Sequence, residues 1–346
     1  MHISSDFITL IGLKNNDTMR VVTLEEHISL TEMTQLLPQE ALAGFGQSPA
    51  MRQLATKLAD ITGERLQSMD ETGITVQVLS VDGAGANLMP QDEAPAFATK
   101  YNDLIAEKIA GHPNRFKAFA HLALTAPLAA ADELERTVTT YGFLGAMVRG
   151  VTEDLFLDHP KFAPILARAE KLGVPIYLHP GLPPKAVADA YYSGLPNYPG
   201  MFEPLACYAW GWHQETALHV LRLLVAGTFD MYPKLKLIIG HMGEMLPMMM
   251  VRSDRSLKPG NGGANQRTLI ETFHQQVHIT TSGLFTQPPL RIAIDTFGVE
   301  NIMFSVDYPF STNQMGMAFL NAIELPTEQL EKIAYGNADK LLGLGE

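Results

Sequence analysis

Val21-Val22-Thr23-Leu24-Glu25-Glu26-His27 decides between two readings of this chain. An apolar, β-branched run ends on three consecutive titratable side chains, as a buried strand does when its carboxyl end opens onto a site. In a doubly wound open sheet the first strand usually feeds a glycine-rich phosphate loop. Here the strand feeds Glu-Glu-His with no glycine, which favours a closed barrel. Strand periodicity puts Glu25 and His27 on one side and Glu26 on the other, so Glu26 is expected to be structural.

Seven more runs of the same kind follow: Thr75–Val81, Phe116–Leu122, Gly145–Arg149, Pro175–His179, Leu235–Gly240, Val277–Thr281 and Ile302–Val306. They are continuously apolar rather than alternating, as parallel strands buried on both faces are. Helix-period stretches lie between them: Asp92–His112, Ala129–Tyr141, Pro160–Leu172, Trp212–Phe229 and Glu244–Arg255. Eight strand-helix units predict an α/β fold, a (β/α)₈ TIM barrel. Two long insertions, Leu30–Ala59 and Gly181–Gly211, leave carboxyl ends of strands, where such barrels build their sites. The expected organisation is an arm or extension over 1–18 and a single barrel domain over 19–346. Lys258–Ala264 is a surface turn rather than a linker.

Four strands end in polar groups that would meet at one mouth: Glu25 and His27, His179, His241 with Glu244, and Asp307. Burying such groups without partners costs several kcal/mol each, roughly, and a shared cation removes that cost. A lone histidine is more often a satisfied core residue, but four groups at matched strand ends argue for a site. Glu25, His27, His179 and Asp307 are therefore the expected ligands of one divalent ion, and their imidazole and carboxylate chemistry suits zinc, manganese or iron better than calcium. His241 is left as a general acid/base or a polariser of water. Glu244, three residues on, either fixes its tautomer or is a carboxylate at a helix N-terminus. Arg252, Arg149 and Trp212 are candidate substrate contacts, with Tyr191, Tyr192, Phe202 and Trp210 as further mouth aromatics. The Met-rich stretch Met245–Val251 is apolar on most faces, so it is either deeply buried or part of a subunit interface.

The chain has 346 residues, 46% of them apolar, and 37 acidic against 25 Lys and Arg residues. That is ample for a large core, and an acidic chain without a basic run is not expected to bind nucleic acid. Its one cysteine, Cys207, excludes an internal disulfide and fits a cytoplasmic location. Phe7–Leu13 is too short to span a membrane and lacks the features of a signal peptide.

These motifs resemble the amidohydrolase superfamily, in its amidohydrolase-related branch. The markers are Leu24-Glu25-Glu26-His27, Met69–Ile74, Tyr177–Pro180, Gly240–Glu244 and Phe304–Pro309. Within that branch the chain is similar to the non-oxidative aromatic acid decarboxylases acting on γ-resorcylate, 2,3-dihydroxybenzoate and 5-carboxyvanillate. The resemblance implies one metal ion (zinc, manganese or magnesium, zinc or manganese favoured), held by Glu25, His27, His179 and Asp307. It makes His241 the catalytic histidine with Glu244 its partner, and offers Arg252 to a neighbouring subunit of a homodimer or homotetramer. The Glu-x-His opening and the absence of a lysine in Gly145–Arg149 imply a mononuclear site. Arg149 stands where resorcylate-type relatives carry Asn. The implied reaction is decarboxylation of a small hydroxylated aromatic carboxylate, with Asp307 delivering a proton to the ring carbon and His241 balancing phenolate charge. Hydrolysis of a small ester, lactone or amide on the same barrel is the alternative. A binding protein on an inactivated barrel would call for a missing ligand, and none is missing.

Overall fold

The computed structural model describes residues 19–38 and 49–345. The expected arm, 1–18, and part of the first insertion lie outside the described residues. The strands are β1 (Val22–Ile28), β2 (Val76–Val81), β3 (Phe116–Ala118), β4 (Ala120–His121), β5 (Ala146–Arg149), β6 (Ile176–His179), β7 (Leu237–Ile239), β8 (Val277–Thr280) and β9 (Ile302–Met303). All pairings are parallel, in the orders β1-β2-β3 and β4-β5-β6-β7-β8-β9. All eight expected runs are present, but Phe116–Leu122 is interrupted at Phe119. There the ring turns a corner: the Phe119 N–H bonds to Leu79 O at 2.9 Å and the Ala120 N–H to Gly145 O at 2.8 Å.

The ring closes between β1 and the segment after β9. The Ser305 hydroxyl accepts from both the Leu24 and Glu25 N–H groups, at 3.2 and 2.7 Å. The His27 N–H reaches Tyr308 O at 2.7 Å. The result is a (β/α)₈ barrel. Val22, Leu24, Val78, Phe119, Met147, Tyr177, Ile238 and Met303 belong to one buried cluster filling its interior, and a second apolar layer packs the outer face of the ring against the helices.

Helices follow the strands in turn: Glu64–Thr72, Ala94–Ile109, Pro127–Tyr141, Ala163–Leu172, Gly211–Val225, Leu246–Ser256, Gln287–Phe297 and Asn313–Asn321. The expected helix Trp212–Phe229 is shorter than predicted. It ends at Val225, and Gly227, at φ +69°, turns the chain before a short helix, Thr228–Met231. The Gly181–Gly211 insertion folds into its own short helices, Lys185–Tyr191 and Phe202–Ala206. Among the described residues no helix is long and apolar enough to cross a membrane.

Candidate metal centre

Between Thr23 and Glu26, β1 advances three residues while β2 advances two, from Gln77 to Leu79. This extra residue is a β-bulge, and a bulge re-aims side chains. Before it, Val22 and Leu24 point into the barrel interior; after it, Glu25 and His27 do. Glu26 points outward, where its carboxylate accepts from the Val306 and Tyr308 N–H groups at 3.0 and 3.1 Å and from the Ser305 hydroxyl at 3.2 Å. Burial pushes Glu26 up to about 7 against the pull of these donors. It is the bolt that holds the seam of the ring.

His179 ends β6, and Asp307 follows β9 in a left-handed conformation, φ +70°. One donor atom each from Glu25, His27, His179 and Asp307 lie within 4.8 Å of one another. His179 Nε2 is 3.0 Å from Glu25 Oε1, and His27 Nε2 is 3.2 Å from Asp307 Oδ1 and 4.0 Å from Glu25 Oε1. Ligands bound at about 2.1 Å to one ion stand roughly 3–4 Å apart. Glu25 Oε1 and His27 Nε2 are buried and have no hydrogen-bond partner, so each atom aimed at its neighbours lacks the compensation that burial demands. A divalent cation fits this donor set.

The electrostatics agree. Burial pushes Glu25 up, but the imidazoles of His241, His179 and His27 outweigh it and hold the carboxyl below its usual range. Burial and the charge of Glu25 push Asp307 well above its usual range. Burial, then the Arg149 guanidinium, depress His27 and His179, so both rings are neutral, as metal ligands must be. Beneath Glu25, the Tyr177 hydroxyl donates to Oε2 and is itself within 2.8 Å of Thr280 Oγ1.

His241 stands beside this group, its Nε2 3.7 Å from Glu25 and 4.0 Å from Asp307. Its Nδ1–H donates to Glu244 at 2.6 Å. Burial opposes the charge on His241, but Glu244 and then Glu25 push its pKa up to about 10. Glu244 is held below its usual range because His241 and His213 outweigh its burial. It is not at a helix start, contrary to the helix expected over Glu244–Arg255. Residues 241–245 all have positive φ, and the helix begins at Leu246. The tautomer-fixing reading of Glu244 is therefore the one its geometry supports. Such a run of left-handed residues costs of order 1 kcal/mol or more per non-glycine position and is typical of functional sites.

The expected substrate contacts are placed unequally. Trp212 lies with its ring 6.2 Å from His179. Arg149 is at the mouth, but its guanidinium is engaged: Nη2 is 3.1 Å from His27 Nδ1 and 3.3 Å from Asp82, and Nη1 is 2.8 Å from His179 Nδ1. His179 Nδ1 is also 2.8 Å from Pro180 O. The carbonyl calls for a proton on that nitrogen and the guanidinium for a lone pair. Only the carbonyl assignment leaves Nε2 free to bind an ion. A substrate contact from Arg149 requires it to leave these partners. Arg252 is exposed on the outer helix and is not brought to this chain's own mouth. Met248 and Val251 beside it are 69% and 71% exposed, so that face is not deeply buried. Tyr191, Phe202 and Trp210 are exposed, while Tyr192 packs with Ala206 and Cys207.

Three contributors escaped the sequence reading. His213 Nδ1 lies 2.6 Å from the second oxygen of Glu244. Tyr177 supports Glu25 from below, and Phe310 meets the His27 ring edge-on at 5.7 Å. Tyr177 sits two residues before His179, so same-face spacing could have flagged it. Nothing local marks His213.

Residues 34–344 match the sequence model of the Amidohydrolase family. The chain belongs to that family. It is 37% identical to decarboxylase orsB of Emericella nidulans over 94% of this chain and 97% of that protein. It is also 37% identical to γ-resorcylate decarboxylase of Rhizobium radiobacter over 93% and 98% of the two chains. The crystal structure of a dihydroxybenzoic acid decarboxylase from Polaromonas sp. JS666, with bound manganese and the inhibitor 2-nitroresorcinol, superposes with a TM-score of 0.86. Its identity is 35%, covering 95% of this chain and 98% of that one.

Proposed function

We propose that this chain removes carbon dioxide from a small hydroxylated benzoate. It is a carboxy-lyase of the amidohydrolase superfamily and takes a divalent metal ion. The observation that carries the reading is the buried Glu25–His27–His179–Asp307 group with His241 beside it, braced by Glu244, in a chain similar over its length to aromatic acid decarboxylases. When bound, the ion supplies Lewis-acid charge and a template for the carboxylate and its ortho oxygen. The manganese in the Polaromonas enzyme supports manganese here, and the imidazole and carboxylate donors suit zinc as well.

Glu25, His27, His179 and Asp307 are proposed as the ligands. Asp307 has one carboxylate oxygen toward His27 and the other toward His241, and it holds the proton that the ring carbon receives. The His241 cation, braced by Glu244, balances the charge of the ortho oxygen. Trp212 and Phe310 offer apolar surface to a flat ring. Arg252 is proposed to serve a neighbouring subunit in a homodimer or homotetramer, supported by the exposed apolar residues beside it. A single domain over 19–346 and a cytoplasmic location complete the reading, the latter supported by the lone, unpaired Cys207.

The test is direct. Purified protein loaded with manganese or zinc is expected to release carbon dioxide from at least one member of a panel of ortho-hydroxybenzoates. Hydrolysis of esters or lactones with no carbon dioxide from any of the acids would overturn the reading.

A further inference from the structure

Arg65, on the first turn of the helix Glu64–Thr72, is the largest fully buried side chain among the described residues. Taking a guanidinium out of water is costly, so a side chain needed only to fill the core would be apolar. The partners of Arg65 are not carboxylates. Its Nε donates to Asp60 O at 3.0 Å, its Nη1 to Gln77 Oε1 at 3.3 Å and its Nη2 to His27 O at 2.5 Å. Its guanidinium carbon also lies 4.6 Å from the centroid of the Tyr308 ring.

Two of these contacts fall on the segments that carry metal ligands. His27 is itself one of the four, and Tyr308 directly follows another, Asp307. The two segments are already joined by the 2.7 Å bond from the His27 N–H to Tyr308 O. Arg65 therefore grips both sides of the seam. One N–H holds the carbonyl of the first ligand, and its flat face lies on the ring next to the second. Gln77 ties this grip to Glu26, since its Nε2 is 3.5 Å from Glu26 Oε2 and 3.3 Å from Asn313 Oδ1. Gln77, Glu26 and Asn313 are all fully buried. Lysine would keep the charge, but only arginine offers several N–H groups in one plane together with a face for stacking.

We propose that Arg65 is a positioning residue for the metal centre. It fixes the 3.2 Å separation of His27 Nε2 and Asp307 Oδ1 by holding the backbone on which each ligand stands. Such sites need their donors within about 0.5 Å of the productive geometry. Arg65 touches neither the ion nor the substrate. The inference rests on the reading of Glu25, His27, His179 and Asp307 as ligands.

The experiment compares wild type, Arg65→Lys and Arg65→Met, each stripped of metal. Phe297→Ala is the control: it opens a cavity in the outer apolar layer, where Phe297 stacks on Phe273. Manganese affinity is read by titration calorimetry, and cobalt(II) is loaded as a probe whose visible absorption follows ligand geometry. Arg65→Lys is expected to bind manganese roughly ten- to a hundredfold more weakly and to shift the cobalt absorption. Arg65→Met is expected to do both to a greater extent. Phe297→Ala is expected to lose stability in urea yet keep the affinity and spectrum of wild type, which separates misplaced ligands from a loosened fold. Wild-type affinity and spectrum in Arg65→Lys would overturn the proposal, whether or not Arg65→Met folds. So would an equal loss of affinity in Phe297→Ala. If wild type takes up neither manganese nor cobalt, it is the ligand assignment that fails.

Discussion

Glu26 accepts from the backbone N–H groups of Val306 and Tyr308 while its neighbours Glu25 and His27 face the metal centre. Replacing it with alanine leaves two buried N–H groups and the Ser305 hydroxyl without this acceptor, at about 1–3 kcal/mol for each orphaned group. Glu26→Ala is therefore expected to lose about 3 kcal/mol or more of stability in urea denaturation. The ligands should behave differently. His179→Ala and Asp307→Asn are expected to lower bound metal and decarboxylase activity together, measured by elemental analysis beside a carbon dioxide assay. Full activity in metal-free protein would remove the basis for the assignment. The residue types at these positions were readable because each sits at the end of an apolar run or just past it. The direction in which Arg149 points was not, since only the folded ring brings it within reach of two imidazoles and Asp82.

At the scale of elements, the eight apolar runs were legible because buried parallel strands need continuous hydrophobicity. The bulge in β1 and the break at Phe119 were not. Both arise where the ring must close or turn a corner, and that demand comes from neighbouring strands rather than from local sequence. His213 was hidden for a similar reason: its partner Glu244 lies 31 residues away. The turn after β7 gives a sharp test. Gly240 has φ −83° and ψ −165°, which any residue can adopt, yet an added Cβ would sit 2.5 Å from Glu25 Oε2. Gly240→Ala is expected to cost about 1–3 kcal/mol of stability by overpacking and to weaken metal binding about tenfold or more, measured by urea denaturation and titration calorimetry.

For the whole molecule, buried histidines away from the metal centre contribute to the acid limit, and two of them can be read directly. Burial depresses both His121 and His219 to about 3. Each Nε2 accepts a backbone N–H, from Ala86 and Leu157 respectively. Their folded pKa lies below the unfolded value of about 6.5. Their contribution is therefore fully present above pH 6.5 and is lost as pH falls from there toward 3. Each should remove about 1.4 kcal/mol per pH unit in that window. His219→Gln is expected to make the acid limb shallower by one histidine's share, read from urea denaturation at a series of pH values; an unchanged slope would argue against it. Assembly belongs to this scale too. Mixing Arg252→Ala with Asp307→Asn subunits is expected to restore part of the activity that each lacks alone, and Val251→Asp on the exposed apolar face should shift sedimentation toward monomer.

The seam at Glu26 has a consequence for how the enzyme is made. It joins the beginning of the barrel to its end, across about 280 residues of sequence, and the ligand group straddles the same seam. A ribosome that has released Glu25 and His27 must still synthesise β2 through β9 before Asp307 emerges. No nascent chain can load its ion early, so metal capture is confined to the finished polypeptide, and truncation at either end of the ring silences the centre as surely as cutting out a ligand.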